Sequence, residues 1–335
     1  MALTIIVSLL IFGVLIISHE FGHFITAVKS GVTVEEFAVG MGPKLLEKQT
    51  KNTKLTLRLF PVGGFCRMKG EDAEDDEPGS FNSVSPLKRI LILASGSLMN
   101  FVVALVLFFT LYLMIGFPTN TIGNFADVSP ARDAGIVVGD TVVDINGTAI
   151  SEWSNVTNTI KSSRGEPLTV TVKHNDGTIS EYTVVPYYSD ESQGYLIGIS
   201  PSYHINLWKS FLGSFQMLWT YVKLIFGIFI GLFRGEFGLE AFSGPIGATV
   251  VIGQYLPQGL IYILNIAASI SISLGLFNLF PIPALDGSRI VFVMIEMIKG
   301  SPVKREVEGR IHFIGFALLI AFAILIAYRD VITYL

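Results

Sequence analysis

The sequence predicts a polytopic α-helical membrane protein with four transmembrane helices, a membrane-associated β-hairpin and one small extracytoplasmic α+β domain. Hydrophobic residues make up 51% of the 335 residues and charged residues only 15%, and the mean hydropathy is +0.59. Soluble proteins rarely reach such values, which are typical of several apolar spans joined to one modest soluble domain. Short β-rich runs and turn signals place that domain between residues 118 and 205.

Four apolar segments are long enough to cross a membrane, roughly Leu3–Val28, Ile90–Phe117, Leu260–Phe280 and Ile311–Tyr328. The first begins without a basic region and lacks a small-residue cleavage site, so we interpret it as a retained span rather than a signal peptide. A fifth apolar run, Phe211–Phe233, contains Lys223 and many aromatic residues. We expect this run to be an amphipathic or re-entrant element at the membrane surface.

Lysine and arginine residues predict the orientation. Residues 29–89 carry ten of them and residues 289–310 carry five, whereas residues 117–207 carry four in a longer stretch. The positive-inside rule therefore places both basic segments in the cytoplasm, and both termini and the small domain outside. A full crossing by the fifth run would put the two basic segments on opposite sides, which disfavours a fifth span.

These arguments divide the chain into four regions. Residues 1–117 hold the first two transmembrane helices, with a cytoplasmic or re-entrant hairpin at about 29–89. Residues 118–205 form the outer domain, residues 206–258 the interfacial region, and residues 259–335 the last two transmembrane helices.

The charge and cysteine content exclude two classes of function. No basic stripe with interleaved aromatic residues is present, so the sequence predicts no nucleic-acid partner. The single cysteine, Cys66, excludes an intramolecular disulfide framework and a cysteine-based structural zinc site.

A His-Glu-x-x-His sequence at residues 19–23 carries the strongest functional signal. His19 and His23 are four residues apart and therefore lie on one helical face, where both can bind a single Zn²⁺. Glu20 is then positioned as the base for a water molecule. Ionisable groups inside a membrane helix are costly and by default functional, so three of them within five residues predict an intramembrane active site. With the amino terminus outside, the site lies in the cytoplasmic half of the membrane.

A catalytic zinc site needs a third protein ligand, and Asp286 is the strongest candidate. It follows Pro281 and Pro283, which end the third span on the same cytoplasmic side as His23. Broken backbone at membrane depth has to be covered by protein or line a watery cavity, so Asp286 faces a polar interior. The alternative is that Asp286 caps the helix that follows, at residues 288–298.

These motifs together resemble the site-2 protease family, and in particular its bacterial regulator-of-sigma-E protease branch, over nearly the whole chain. The resemblance rests on the His-Glu-x-x-His sequence in the first span, the Asn278-x-x-Pro-x-Pro sequence before Leu285-Asp-Gly287, and the outer domain between them. It implies an intramembrane zinc protease with His19, His23 and Asp286 as metal ligands and Glu20 as general base. It also implies that Asn278 acts near the scissile carbonyl, for which the alternative is a buried amide that bridges helices.

Four glycines between the first two spans are candidates for substrate contact. Gly40 and Gly42 lie in a stretch expected to be flat and open to another backbone. Gly63 and Gly64 belong to a predicted turn between strands at residues 55–60 and 65–68. An intramembrane protease must hold its substrate as a strand, and the resemblance implies that this hairpin dips into the membrane and offers an edge. The alternative is a cytoplasmic hairpin that packs against the spans.

Two further features have structural interpretations. Residues 129–147 resemble a bacterial protease-type PDZ domain, which would bind an extended peptide or a free C-terminus or act as a gate. In the second span, Asn100 follows Ser95-Gly-Ser97, which indicates close helix contact.

The resemblance implies a bacterial protease of the cytoplasmic (inner) membrane that uses Zn²⁺ to cleave single-span membrane proteins within the lipid bilayer. Anti-sigma factors and remnant signal peptides are the substrates that it implies. A zinc transporter or sensor, or a catalytically inactive membrane scaffold with a PDZ domain, is the alternative. The presence of Glu20, where a hydrolytic base belongs, disfavours both.

Overall fold

The computed structural model describes residues 1–71, 77–236, 238 and 243–334. In chain order the elements are α1 (Ala2–Ser30), β1 (Val34–Gln49), β2 (Lys54–Met68), α2 (Pro86–Ile115), β3 (Phe117–Phe125), α3 (Pro130–Asp133), β4 (Thr141–Ile145), β5 (Thr148–Ala149), α4 (Trp153–Ser162), β6 (Leu168–Lys173), β7 (Ile179–Val184), β8 (Tyr187–Ser189), β9 (Gly194–Leu196), β10 (Ile199–His204), α5 (Leu207–Phe233), α6 (Pro245–Tyr255), α7 (Leu260–Leu279), α8 (Asp286–Lys299) and α9 (Arg305–Tyr334). They form two compact units, one of residues 1–111 with 213–335 and one of residues 112–212.

Within the described residues, five helices are long and apolar enough to cross a membrane, namely α1, α2, α5, α7 and α9. The sequence predicted four of these as spans and the fifth, α5, as an interfacial element. The structure shows α5 as one continuous helix of 27 residues. Residues 237 and 239–242 of the predicted interfacial region lie outside the described residues.

The first helix ends abruptly, and this end directs the chain into the sheet that follows. Gly31 adopts a left-handed conformation, with φ 90°, and its N–H donates to the carbonyl oxygens of Ala27 and Val28. A residue with a side chain would be strained in this conformation, so glycine is the usual residue at such an end. β1 begins three residues later and packs against the helix that it has just left.

The sheet between α1 and α2 differs from the predicted hairpin in its pairing. Residues 34–39 of β1 pair with residues 64–68 of β2 and also with residues 54–57 of β2. The two predicted strands of the hairpin therefore flank β1 instead of pairing with each other. The tight turn lies at residues 50–53, where Gln49 pairs with Lys54, and not at residues 61–64. As a result, residues 64–68 form an outer edge of this sheet.

Two hydrophobic clusters hold the helical unit together. One joins the end of α1, the sheet, the start of α2 and α8, with Ala27, Ile92 and Val293 among its buried members. The other joins α2, α5 and α7 around Phe108 and Ile272. The first cluster lies beside the residues of the predicted metal site and fixes α1 against α2.

The second unit is the predicted small domain. Its main sheet has six antiparallel strands in the order β10-β3-β4-β6-β7, with β5 paired to β4. The short β-rich runs of this domain in the sequence, at residues 139–145, 168–174 and 180–185, correspond to β4, β6 and β7. Asn146 and Gly147 both have positive φ, of 52° and 78°, as a tight Asn-Gly turn between β4 and β5 requires.

Candidate metal centre

The two histidines of α1 face each other across one helical turn. Their ring centroids are 4.8 Å apart and their Nε2 atoms are 3.2 Å apart. Both side chains are buried, at 7% and 6% exposure for His19 and His23. The i, i+4 spacing of the sequence produces this arrangement directly.

Asp286 reaches the same point from the junction of α7 and α8. Its Oδ2 lies 3.1 Å from Nε2 of His19 and 3.3 Å from Nε2 of His23. Asp286 is the first residue of α8, whose N-cap position is Leu285, and this position makes no side-chain capping hydrogen bond. The capping alternative is therefore wrong, because the carboxylate points at the imidazoles.

The geometry of these three side chains fits a bound metal ion. Tetrahedral zinc with bonds of about 2.0–2.1 Å would separate neighbouring ligand atoms by about 3.3 Å. The three distances here are 3.1, 3.2 and 3.3 Å. Nδ1 of His23 lies 2.8 Å from the carbonyl oxygen of Ile92, so in the neutral ring Nδ1 carries the proton and Nε2 carries the lone pair that a metal needs.

A glycine of α2 lies beside the place where the Nε2 atoms of His19 and His23 converge. A Cβ added to Gly96 would lie 2.4 Å from Nε2 of His23 and 2.7 Å from Nε2 of His19. Gly22 of α1 meets α2 in the same way, since a Cβ there would lie 2.3 Å from the carbonyl oxygen of Ser95. The two glycines allow α1 and α2 to approach closely and leave the space beside the imidazoles open.

Hydrogen-bond partners outside the ligand set orient both rings. The amide of Asn100, which is fully buried, lies 3.3 Å from Nδ1 of His19 through its Nδ2. Its Oδ1 has no hydrogen-bond partner among the described residues. Rotation of the amide by 180° lets Oδ1 accept the Nδ1–H of His19 and leaves the Nε2 lone pair free for a metal. The Ile92 carbonyl accepts from Nδ1 of His23 in the same way.

The proposed base and the proposed amide lie in one cavity with the ligands. Glu20 and Asn278 line a cavity of about 190 Å³ together with His19 and Asp286. Nδ2 of Asn278 lies 3.4 Å from Nε2 of His19. The structure therefore brings together all five residues that the sequence singled out for metal binding and catalysis.

The four glycines of the sheet fall into two groups. Gly64 lies against the active site, since a Cβ there would lie 3.4 Å from Cγ of Glu20. Gly63, beside it, has φ +87° and packs against the side chain of Met41. Both lie at the end of the outer edge formed by residues 64–68, and their contact with substrate stays a prediction.

The other two glycines do not form the flat stretch that was expected. Gly40 and Gly42 have φ values of +83° and +87°, so the backbone bends here instead of running flat. A Cβ on Gly40 would lie 2.5 Å from the carbonyl oxygen of Phe60, and one on Gly42 would lie 2.6 Å from its ring. Phe60 of the same chain thus lies beside both glycines, but Gly42 is exposed, and contact of these two glycines with substrate stays a prediction.

Sequence reasoning missed two contributions to the site. Gly96 was seen only as part of a small-residue contact, although the Ser-Gly-Ser sequence in a span was the signal that could have identified it. The carbonyl of Ile92 leaves no signal in the sequence, because any residue at that position supplies the same group.

Five apolar helices and a buried His-His-Asp group with an adjacent glutamate define a membrane metalloprotease by fold and site. The family model described as peptidase family M50 matches residues 7–322. The chain thus belongs to peptidase family M50, the site-2 protease family that the sequence motifs indicated, and it is a zinc metalloprotease of a bacterial membrane.

Relatives support this assignment along the whole chain. A protein of Clostridium acetobutylicum is 38% identical over 98% of this chain and 97% of its own length. The zinc metalloprotease RasP of Geobacillus kaustophilus is 31% identical, with 98% and 97% covered. The regulator of sigma-W protease RasP of Bacillus subtilis is 29% identical, with 98% of each chain covered.

Among solved structures, similarity is found to the PDZ domain of the SdrC-like protein of Listeria monocytogenes. The identity is 22% and the TM-score is 0.21, over 26% of this chain and 86% of that one.

Proposed function

We propose that this protein is an intramembrane protease that hydrolyses peptide bonds within the transmembrane segments of single-span membrane proteins. The observation that carries the proposal is the cavity in which Glu20 and Asn278 face the His19, His23 and Asp286 group. Two of the three ligands come from α1, a helix with an 18-residue stretch of mean hydropathy 2.5, so the reacting centre lies among apolar helices.

The three ligand residues would hold Zn²⁺, which supplies a Lewis acid that makes water nucleophilic near neutral pH. Glu20 takes the proton of the attacking water and then delivers it to the leaving amine. The Asn278 amide donates to the developing oxyanion of the scissile carbonyl, where a preorganised donor is most effective. Ile92 and Asn100 keep the two imidazoles in the orientation that this chemistry requires.

The edge at residues 64–68 is the proposed binding place for the substrate strand. A peptide bond inside a helix is hydrogen-bonded and screened by side chains, so the substrate has to be unwound and held by main-chain partners. Gly64 brings this edge against Glu20, and β2 packs along α1. A strand added to the edge would therefore pass the catalytic glutamate.

We also propose four spans, with α5 as a re-entrant helix. The hydroxyl of Tyr221 donates to Asn265 near the start of α7, and the ring of Phe229 lies 4.6 Å from that of Phe280 at the end of α7. α5 thus runs along α7 to the level of the active site. α6 then begins beside Asp330 of α9. Asp330 lies about 27 Å along α9 from His312, which contacts Ala284 at the level of the active site.

This arrangement supports the expectation that the two basic segments, residues 29–89 and 289–310, lie on the same side of the membrane. Gly253 near the end of α6 lies against Thr4 at the start of α1, so α6 is at the level where α1 begins and α9 ends. The ends of residues 206–258 would then face the same side of the membrane. Both termini and the outer domain would be extracytoplasmic, with the active site in the cytoplasmic half.

The small domain is proposed to be a PDZ domain that admits or excludes substrates, through a bound peptide or a newly formed C-terminus. Its support is the sequence at residues 129–147 and the antiparallel sheet around a buried core. The Bacillus subtilis relative is a regulator of sigma-W, which supports anti-sigma factors as one substrate class. Remnant signal peptides are the other class of short single-span substrate.

A Glu20→Gln variant tests the proposed activity. The purified protein in lipid vesicles, assayed with a single-span test substrate, should lose about 10²- to 10⁴-fold of its rate, because the base is gone. Its zinc content should equal that of the wild type, since the substitution leaves the three ligands unchanged. Glu35→Gln is the matched control, because Glu35 is an exposed carboxylate that lies outside the cavity and should leave the rate unchanged.

Wild-type cleavage by Glu20→Gln would refute the proposed role of Glu20. Zinc flux into vesicles by the variant, without cleavage by either protein, would favour a transporter instead.

A further inference from the structure

The loop between α7 and α8, residues 280–285, has two internal backbone hydrogen bonds, from Ile282 N–H to the Phe280 carbonyl and from Leu285 N–H to the Ile282 carbonyl, but it contains one strained residue. Asn278 lies two residues before this loop and Asp286 lies immediately after it. Pro281 and Pro283 offer no N–H groups, and Ala284 has φ +76°, a left-handed conformation that is rare for a residue with a side chain. Such a conformation persists only where the surroundings enforce it.

The last helix supplies the enforcing contact. Nδ1 of His312, in the first third of α9, accepts a hydrogen bond from the N–H of Ala284 at 2.9 Å. The proton of the neutral ring is then on Nε2, which lies 3.6 Å from Oε1 of Glu308 one turn away. The strained residue of the loop is thus tied to a side chain of another helix, in a mostly buried place.

A second residue of the same helical face fixes the loop sterically. Gly315, three residues after His312, has no room for a side chain, since a Cβ there would lie 2.2 Å from Cβ of Pro283 and 2.7 Å from its carbonyl oxygen. α9 therefore touches the loop at both Pro283 and Ala284. These contacts lie immediately before Asp286, and Ala284 lines the same cavity as Asp286.

We propose that His312 is a positioning residue for the metal centre: through Ala284 it holds the loop that aims Asp286 at His19 and His23. This inference rests on the proposed metal site but assigns a role to a helix that contributes no ligand. Without the acceptor, Ala284 can relax to a negative φ, and the start of α8 moves with it. Asp286 would then leave the ligand triangle while both histidines stay in place.

The test measures zinc retention, which does not depend on cleavage. His312→Leu removes the acceptor but still fills the space with a branched side chain, and it should release zinc to a chelator about 10- to 100-fold faster than the wild type. His312→Asn offers Oδ1 near the position of Nδ1 and should stay within about threefold of the wild type. His204→Leu, at an exposed histidine of the other unit, is the matched control and should release zinc as the wild type does.

A suppressor makes the assignment specific. Glycine adopts positive φ without strain, so the double variant His312→Leu with Ala284→Gly should recover most of the lost zinc retention. Wild-type release by His312→Leu, or a defect that neither His312→Asn nor Ala284→Gly reduces, would overturn the inference. If the wild type itself holds no zinc, the proposed function fails instead, which separates the two outcomes.

Discussion

At the scale of single residues, the metal centre depends as much on a missing side chain as on the ligands. Gly96 leaves open the space in which the Nε2 atoms of His19 and His23 converge. Gly96→Ala would put a methyl group 2.4 Å from one of these atoms, closer than any real contact allows. We expect this variant to lower the affinity for zinc by about tenfold or more, because small displacements of ligands are felt strongly in metal sites.

Metal analysis of the purified proteins after dialysis against a zinc buffer measures this effect. Gly227→Ala is the control, because a Cβ on this helical glycine of α5 would meet nothing within 4 Å. Equal zinc content in Gly96→Ala and Gly227→Ala would contradict the account of the open space.

At the scale of elements, the sheet between α1 and α2 is fastened by one buried carboxylate. Oε1 of Glu36 accepts hydrogen bonds from Thr56 at 2.8 Å and from Arg58 at 2.7 Å. Burial opposes ionisation, but these two donors outweigh it and hold the pKa of Glu36 below its ordinary value. The side chain thus links β1 to β2 next to the proposed substrate edge.

A lowered pKa in the folded state fixes the sign of the pH dependence. The ionised form of Glu36 stabilises the fold at neutral pH, and this contribution is lost as the pH falls through the lowered pKa. Glu36→Gln should reduce the free energy of unfolding by about 1–3 kcal/mol at neutral pH. The difference in melting temperature from the wild type should stay constant down to about pH 4, near the ordinary pKa of a glutamate, and shrink as the pH falls further.

Thermal unfolding at several pH values measures the difference. Glu35→Gln serves as the control because Glu35, the preceding residue, is exposed and should show no such difference at any pH. A difference between Glu36→Gln and the wild type that does not shrink below about pH 4 would contradict the linkage.

In the same sheet the sequence predicted the strands correctly but not their pairing. Its alternating pattern predicted strands at residues 55–60 and 65–68, and strands are present there. The predicted pairing of these two strands with each other was wrong. An alternating pattern identifies a strand but does not specify its neighbour in the sheet. The observed pairing places residues 34–39 between the two runs. Gly40 and Gly42 were misjudged for the same reason, since only the folded sheet shows that Phe60 occupies the space beside them.

At the scale of the whole molecule, the sidedness of the chain is the main prediction. The single native cysteine, Cys66, is buried, so a Cys66→Ala background suits labelling with a membrane-impermeant maleimide. In right-side-out vesicles we expect labelling of Ser154→Cys in the outer domain and of Gln258→Cys before α7. Asn52→Cys, in the turn of the sheet, should react only after the membrane is opened. All three positions are exposed.

Gln258→Cys is the decisive position for α5. A re-entrant α5 leaves residue 258 outside, whereas a full crossing moves it to the cytoplasmic side. Protection of Gln258→Cys until permeabilisation, with Ser154→Cys labelled, would contradict the four-span arrangement.

The sequence by itself determined the chemistry, because the spacing of His19 and His23 and the position of Glu20 are properties of a single helix. Local geometry fixes which side chains share a helical face, and an apolar setting makes their charges too costly to be incidental. Asp286 could be nominated from the sequence, but its choice between capping α8 and facing the imidazoles depended on how the α7–α8 junction packs. Only the tertiary structure decided that choice, together with the roles of Gly96, Asn100 and His312. Each of these acts across a contact between distant parts of the chain, and no local pattern records such a contact.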